Sequence, residues 1–279
     1  MINNKTIRKI IKSAIAEDLG KGDITTEAIV KDSKNGVATI ISKQYGILAG
    51  INVTKYVFLE IDPELDISLF FKDGEILNYG NQVMKIEGRM ASILKGERIA
   101  LNFLSRMSGI ASLTNQYVKK VEGTTAKISD TRKTIPLFRI FEKEAVKIGG
   151  GFNHRMGLYD MVLIKENHIR ACGSIKNAIK RIHNYLSKHN LNVKIEIETT
   201  NINEIKDALK YKIDRIMLDN MTVNQIKEAV RLIAGKVEIE VSGGINLDNV
   251  YDIAQCGVDI ISIGAITHSA PAFDFTLLF

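Results

Sequence analysis

The sequence predicts an α/β chain: an N-terminal α+β, sandwich-like module followed by a barrel-like series of βα units. Three observations carry that prediction. Apolar strands recur six times in the second half, at 127–133, 161–165, 193–198, 215–219, 237–244 and 259–265. Each ends in charged, hydroxylated or glycine residues, and helix-patterned stretches separate most of them, which is the rhythm of a parallel sheet. The first hundred residues lack this rhythm, and a length of 279 residues at 45% apolar content is ample for one or two cored domains.

Residues 6–19 place Ile7, Ile10, Ile11, Ala14, Ile15 and Leu19 at helical spacing, and Gly20 and Gly22 end that helix. VATIISK (37–43), ISLFF (67–71) and VMKIEG (83–88) are strand-like, with a turn signal at Asp73-Gly74. A helical stretch over roughly 91–121 leads into the βα half. The apolar tail Phe273, Phe275, Leu277, Leu278 and Phe279 is expected to pack back on the first module. The predicted organisation is therefore a module over 1–110 with the tail 270–279, and a barrel domain over 111–269. After Arg132-Lys133, Thr134 and Pro136 suit a helix start, and Leu137, Phe141, Ala145 and Ile148 form one apolar stripe. Gly149-Gly150-Gly151 stops that helix, and Asn153-His154-Arg155 follows on a permissive loop.

Net charge is +6, and residues 131–170 supply +4 of it, with eight Lys/Arg against four acids. These cations sit at strand ends and beside glycines, without a Lys/Arg run or interleaved aromatics. That favours a polyanionic small molecule over nucleic acid. Cys172 and Cys256 form no C-x-x-C pair, so reduced thiols and a cytoplasmic location are expected, with no disulfide framework or zinc site. Lys and Arg interrupt the first apolar stretch, so neither a signal peptide nor a spanning segment is expected. The remaining histidines have no metal-ligand spacing, and P-loop, G-x-S-x-G and H-E-x-x-H motifs are absent from the sequence.

In a barrel of βα units the carboxyl ends of the strands converge on the ligand face. Asp130, Arg132, Lys133, Lys165, Glu198, Asp219, Ser242 and Gly264 are thereby predicted to ring one pocket. Arg132, Lys133, His154, Arg155 and Lys165 crowd cations where only a resident polyanion offsets their repulsion, and guanidinium forks suit carboxylate and phosphate. Glu198 and Asp219, ending consecutive strands, could hold magnesium, bond sugar hydroxyls, stabilise a developing cation, or serve only as ion-pair partners. Glu196 shares the face of Glu198 but lies deeper, where ion pairs would hold it. Ser242-Gly243-Gly244 and Gly264-Ala265 end the last strands, where backbone N–H groups can seat a phosphate. Lys165 could alternatively act as a Schiff-base amine, and a non-catalytic phosphosugar sensor is a third reading.

The run TRKTIPLFRIFEKEAVKIGGGFNHRMGLYDMVLIKENHI (131–169) resembles the quinolinate phosphoribosyltransferase family, also called nicotinate-nucleotide pyrophosphorylase. EDLGKGDITT, GERIALNFLSRMSGIAS, IEIE, MLDNM, EVSGGI and ISIGAITHSA are similar to the family's markers in the same order, over essentially the whole chain. The resemblance implies an incomplete α/β barrel and a homodimer or higher assembly whose substrates are quinolinate and phosphoribosyl pyrophosphate, with magnesium. It implies that Thr131, Arg132, Lys133, His154, Arg155 and Lys165 meet quinolinate, with Arg98 reaching in from a neighbouring subunit. Glu198 and Asp219 would face ribose and magnesium, while Ser242, Gly243, Gly244, Gly264 and Ala265 would hold the 5′-phosphate. Lys133, Lys165, Glu198 and Asp219 are the candidate catalytic groups. Ile135 and Leu137 depart from the family's Thr and Gly, and Glu144 from its usual aromatic. A sister group tied to molybdenum transport shares TRKT and HR but generally lacks the NHRxGLYD and IK-x-NH pattern kept here.

Overall fold

The computed structural model describes residues 5–31 and 33–279. In chain order it forms α1 (Lys5–Leu19), α2 (Ile24–Ile29), β1 (Asn35–Ser42), β2 (Gly46–Ile47), α3 (Ile51–Ile61) and β3 (Asp66–Leu69). β4 (Ile76–Leu77), β5 (Gln82–Arg89), α4 (Met90–Lys120), β6 (Lys127–Ser129), α5 (Arg139–Ile148) and β7 (Val162–Ile164) follow. Then come α6 (Glu166–Cys172), α7 (Ile175–Lys188), β8 (Ile195–Thr199), α8 (Ile202–Ala208), β9 (Arg215–Asp219) and α9 (Val223–Ile233). β10 (Glu238–Ser242), α10 (Val250–Ala254), β11 (Ile260–Ser262), α11 (Ala265–His268) and β12 (Phe275–Leu278) complete it. Among the described residues no helix is long and apolar enough to cross a membrane.

Two compact units emerge. The first comprises the described residues up to Asn115, with Thr134–Gly150 and Ile266–Phe279. Its antiparallel sheet runs β12-β1-β5-β3, with the C-terminal strand hydrogen-bonded along β1 from Ser42↔Phe275 to Thr39↔Leu278. Gly109 on α4 lets the backbone of the tail pass close by: a Cβ there would lie 2.0 Å from the Pro271 carbonyl. Arg106, also on α4, donates to Glu142 of α5 at 2.6 Å and to the Ala270 carbonyl, and Glu142 is fully buried. Phe103, Phe138 and Phe141 form an aromatic cluster in the same unit, with ring centroids 4.8–5.2 Å apart; Phe103 stacks on Phe138 and meets Phe141 edge-on.

The structure corrects one local expectation. The helix after the basic motif begins at Arg139, past Thr134 and Pro136, and has no side-chain cap. Leu137 takes φ +64° and is 83% exposed, so the chain turns through a left-handed residue before the helix. Thr134 Oγ1 instead accepts the Arg139 Nε–H at 2.8 Å, and the apolar stripe starts at Phe141.

The second unit, Gln116–Lys133 with Gly151–Ala265, holds a parallel sheet of order β6-β11-β10-β9-β8-β7. Strands β6 and β7 are both edges among the described residues, so the sheet is open, as expected of an incomplete barrel. Three of its helices start where polar side chains satisfy free N–H groups: Ser174 caps α7, Asn201 caps α8, and Thr222 with Gln225 forms a capping box on α9. Helix α9 buries Ile226, Ala229 and Ile233 at i, i+3 and i+7. Each isoleucine removed from water contributes ~2 kcal/mol. Alternation along β8, β9 and β10 sends Ile197, Ile216, Leu218, Ile239 and Val241 to the apolar side and leaves Met217 and the polar residues on the other.

Candidate active site

The polar side of this sheet is built in layers, because residues two apart on one strand share a face and the parallel register aligns neighbouring strands. Glu198 stands opposite Met217, and Asp219 opposite Ser242, which puts these three polar strand ends at one edge. Next to them lies the end of β7, where Lys165 opens α6 and its Nζ bonds the Glu198 carboxylate. The backbone N–H of Lys165 donates to His168 Nδ1 at 2.9 Å, which holds the lysine at the strand–helix junction. Burial, then the charge of Glu198, raises the Asp219 carboxyl above the usual aspartate range, while Asn220, Lys165 and Lys133 act against that shift. Lys133, Lys165, Glu198 and Asp219 therefore form one electrostatic group.

The end of β6 brings the other cations. Thr131 Oγ1 accepts the Lys133 N–H at 3.0 Å, shaping the TRK turn, and Lys133 is exposed. Asp130 is fully buried and accepts the backbone N–H of His154 at 2.9 Å, tying the NHR loop to the first strand end. Arg155 donates through Nη1 to the Met161 carbonyl at 3.1 Å. Burial, then the guanidinium of Arg132, pulls Arg155 below the ordinary arginine value, so Arg132 and Arg155 sense each other's charge.

Behind this rim lies a buried polar layer. Arg215 Nη1 is 2.7 Å from Glu240 and 3.7 Å from Glu196, and its Nη2 is 3.0 Å from Glu238. His154 Nε2 is 3.1 Å from Glu196 and 3.4 Å from Glu240; both carboxylates are fully buried, and 5% of the His154 side chain is exposed. Burial opposes charge on the ring, yet the two carboxylates outweigh it and push its pKa up to about 9. Against that, Nδ1 accepts the Arg155 backbone N–H at 2.7 Å, and an accepting nitrogen carries no proton. The hydrogen-bond geometry decides for the Nε2–H ring. Burial raises the Glu196 carboxyl and the charge of Glu240 adds to that, while His154 and Arg215 act against the shift. The ligand atoms of His154, Glu196 and Glu240 lie within 4.8 Å of one another, as a metal site requires, but the Arg215 guanidinium already balances these carboxylates. Glu196 is thus deep and ion-paired, as its alternation with Glu198 predicts.

The glycine loops complete the edge. Gly243 (φ +94°) and Gly244 (φ +62°) follow Ser242, and a Cβ on Gly243 would lie 2.2 Å from Asn220 Oδ1. Asn220 itself takes φ +53°, donates its N–H to the Ser242 carbonyl at 2.9 Å and its Nδ2–H to Asp219 at 2.7 Å. It braces the carboxylate and the glycine turn together, and the sequence reading passed over it. The available signal was an Asn directly after a strand-end Asp, a residue type that tolerates the left-handed region. At the end of β11, Gly264 and Ala265 are half-buried. A cavity of about 300 Å³ borders Glu198, with Ile169, Arg170, Thr200 and Glu204 in its wall. Arg98 stands outside this unit, exposed on α4. The structure thus brings together Lys133, Lys165, Glu198 and Asp219, joins Arg132 to Arg155, and sets Ser242 and Gly243 against Asp219 and Asn220.

Comparisons with known proteins agree along the whole chain. The family described as quinolinate phosphoribosyl transferase, N-terminal domain, matches residues 23–108, and its C-terminal domain matches residues 110–278. A relative from Nicotiana tabacum, named quinolinate phosphoribosyltransferase [decarboxylating] 2b, mitochondrial, is 41% identical over 97% of this chain and 81% of its own length. A probable nicotinate-nucleotide pyrophosphorylase [carboxylating] from Bacillus subtilis is 37% identical over 99% of this chain and 94% of its own. The crystal structure of nicotinate-nucleotide pyrophosphorylase from Ehrlichia chaffeensis superposes with a TM-score of 0.93 at 42% identity, covering 97% of each chain.

Proposed function

This chain belongs to the quinolinate phosphoribosyl transferase family, and from that premise we propose that it joins quinolinate to phosphoribosyl pyrophosphate with loss of carbon dioxide. The products are nicotinate mononucleotide, pyrophosphate and CO2. The observation that carries this reading is the convergence of Lys133, Lys165, Glu198 and Asp219 at one sheet edge, beside Arg132, Arg155 and the Ser242–Gly244 turn.

The chemistry follows from the charges. Arg132 and Arg155 bind the two carboxylates of quinolinate, Arg155 with the part of its fork that Met161 leaves open. Thr131 shapes the turn that presents Lys133. The ring nitrogen of quinolinate forms a bond to the sugar's anomeric carbon as the bond to pyrophosphate breaks, its electron pair leaving with pyrophosphate. Lys133 and Lys165 offset the phosphate charge, and Glu198 and Asp219 stabilise the oxocarbenium-like sugar. Once alkylated, the ring nitrogen is positive. The adjacent carboxylate then departs as CO2, its bonding pair staying on the ring carbon, which takes up a proton. The protein's contribution is positioning and charge, without a covalent nucleophile. Backbone N–H groups of Gly243, Gly244, Gly264 and Ala265, with the Ser242 hydroxyl, seat the 5′-phosphate.

Glu198 and Asp219 also suit magnesium: they are oxygen donors, burial and then the charge of Glu198 raise Asp219, and a hard divalent cation offsets both effects. Bound there, it would neutralise pyrophosphate charge as that group leaves. We assign Arg98, exposed on α4, to the mouth of the neighbouring copy's site, which makes the enzyme a homodimer or larger assembly. Two free thiols, Cys172 and Cys256, support a reducing, cytoplasmic setting. The Schiff-base alternative asks for an available amine on Lys165, whose Nζ is taken by Glu198.

The test is direct. Purified protein with quinolinate, phosphoribosyl pyrophosphate and magnesium should release nicotinate mononucleotide, pyrophosphate and CO2 in equal amounts. Absence of product from quinolinate, or a preference for nicotinate as acceptor, would remove this reading.

A further inference from the structure

We infer that His154 is a positioning residue: it aligns Arg155 for the substrate carboxylate and does not itself touch substrate. This rests on the assignment of Arg155 to quinolinate made above. His154 ties the loop carrying both residues to the protein at three points, while Asp160 holds the loop further on through the N–H groups of Met156 and Gly157. The His154 backbone N–H is held by the buried Asp130 at 2.9 Å. Its Nε2 faces Glu196 at 3.1 Å and Glu240 at 3.4 Å, in the layer that Arg215 closes from the other side. Its Nδ1 accepts the backbone N–H of Arg155 at 2.7 Å.

Both ring nitrogens are therefore engaged within the protein, and 5% of the side chain is exposed. An imidazole has only these two polar atoms, so none is left to meet a carboxylate. What the ring does offer is rigidity. Fixing the amide of Arg155 sets the direction in which its side chain leaves the backbone, and Met161 fixes the guanidinium at 3.1 Å further out. A bidentate contact needs its fork placed within a few tenths of an ångström, which a loop cannot provide unless packing and hydrogen bonds hold it. The deep carboxylates thus bear on binding through two steps, Glu196 and Glu240 to His154, and His154 to Arg155.

Two measurements test this. In His154→Gln the side-chain amide keeps a donor toward Glu196 and Glu240 but offers the Arg155 N–H no imidazole Nδ1. We expect the quinolinate KM to rise about tenfold with kcat changed less than about threefold. Arg155→Lys should raise the same KM, and combining the two should add less than about twofold to Arg155→Lys alone, since His154 works through Arg155. Multiplied effects would mean an independent contact between His154 and substrate and would overturn the inference. An unchanged KM in Arg155→Lys would instead dismiss the assignment of Arg155. The second measurement depends on neither variant. In ¹⁵N-histidine spectra of the wild-type protein, Nδ1 of His154 should appear unprotonated both free and saturated with quinolinate. A protonated Nδ1, or a change of tautomer on adding quinolinate, overturns the proposal.

Discussion

Removing the guanidinium of Arg215 tests the buried layer most sharply. In Arg215→Met the side-chain volume is roughly kept, so the change is electrostatic. Arg215 is 11% exposed and meets Glu240 at 2.7 Å, Glu196 at 3.7 Å and Glu238 at 3.0 Å. Glu238 retains Lys194 at 3.0 Å and is itself 42% exposed, so it loses little. Glu196 and Glu240 are fully buried, and among the described residues His154 is the one basic side chain left within 4 Å of them. Deleting one partner of a buried pair costs about 3–5 kcal/mol, because the charge left behind is uncompensated. For a chain of this size that lowers Tm on the order of 10 °C. The loss should also depend on pH. A carboxylate whose folded pKa exceeds its unfolded value binds its proton preferentially in the folded state. Its penalty is absent below the unfolded pKa, about 4.3, and grows as pH rises toward the folded value. Thermal melts followed by circular dichroism should therefore show the deficit widening between about pH 5 and pH 8. Adding Glu240→Gln, which removes one of the stranded charges, should recover part of the loss. A variant within about 1 kcal/mol of wild type, or a deficit independent of pH, would refute the reasoning.

Two further outcomes are expected. Leu137→Gly should raise Tm by about 1–3 °C: relief of the left-handed backbone gives ~1–2 kcal/mol, offset by ~0.4–1 kcal/mol of extra unfolded-state entropy, while an 83% exposed side chain loses few contacts. Leu137→Ala keeps the strain and should leave Tm unchanged, and a Gly variant no more stable than Ala would count against it. Mixing Arg98→Ala with Glu198→Gln subunits, each inactive alone, should restore about a quarter of wild-type activity, because random pairing into C2 dimers gives half heterodimers with one intact site each. An inactive mixture would mean that Arg98 serves no partner's site.

Much of the site was legible because strand chemistry is local. Polar residues closing six apolar runs pointed to the candidate edge without any knowledge of pairing, and alternation placed Glu196 and Glu198 on one face. The glycines after Ser242 and the long basic motif were equally readable, and so was the family resemblance they carried. The helix start after that motif was misjudged, since Thr134 and Pro136 are good initiation signals and nothing local reveals that Leu137 turns left-handed.

The sequence by itself determined which residue types stand at the strand ends, their order along the chain and the sidedness of each strand, because side-chain direction alternates with a period of two. Only the tertiary structure decided who faces whom. The strand order β10-β9-β8 sets Arg215 among Glu196, Glu238 and Glu240, and the path of the NHR loop buries His154 against two of them. Lys165 meets Glu198 across 33 residues of chain, and Asn220 meets the turn after the neighbouring strand. These contacts depend on register and loop course, which are settled by long-range packing, and no local pattern in the sequence encodes them.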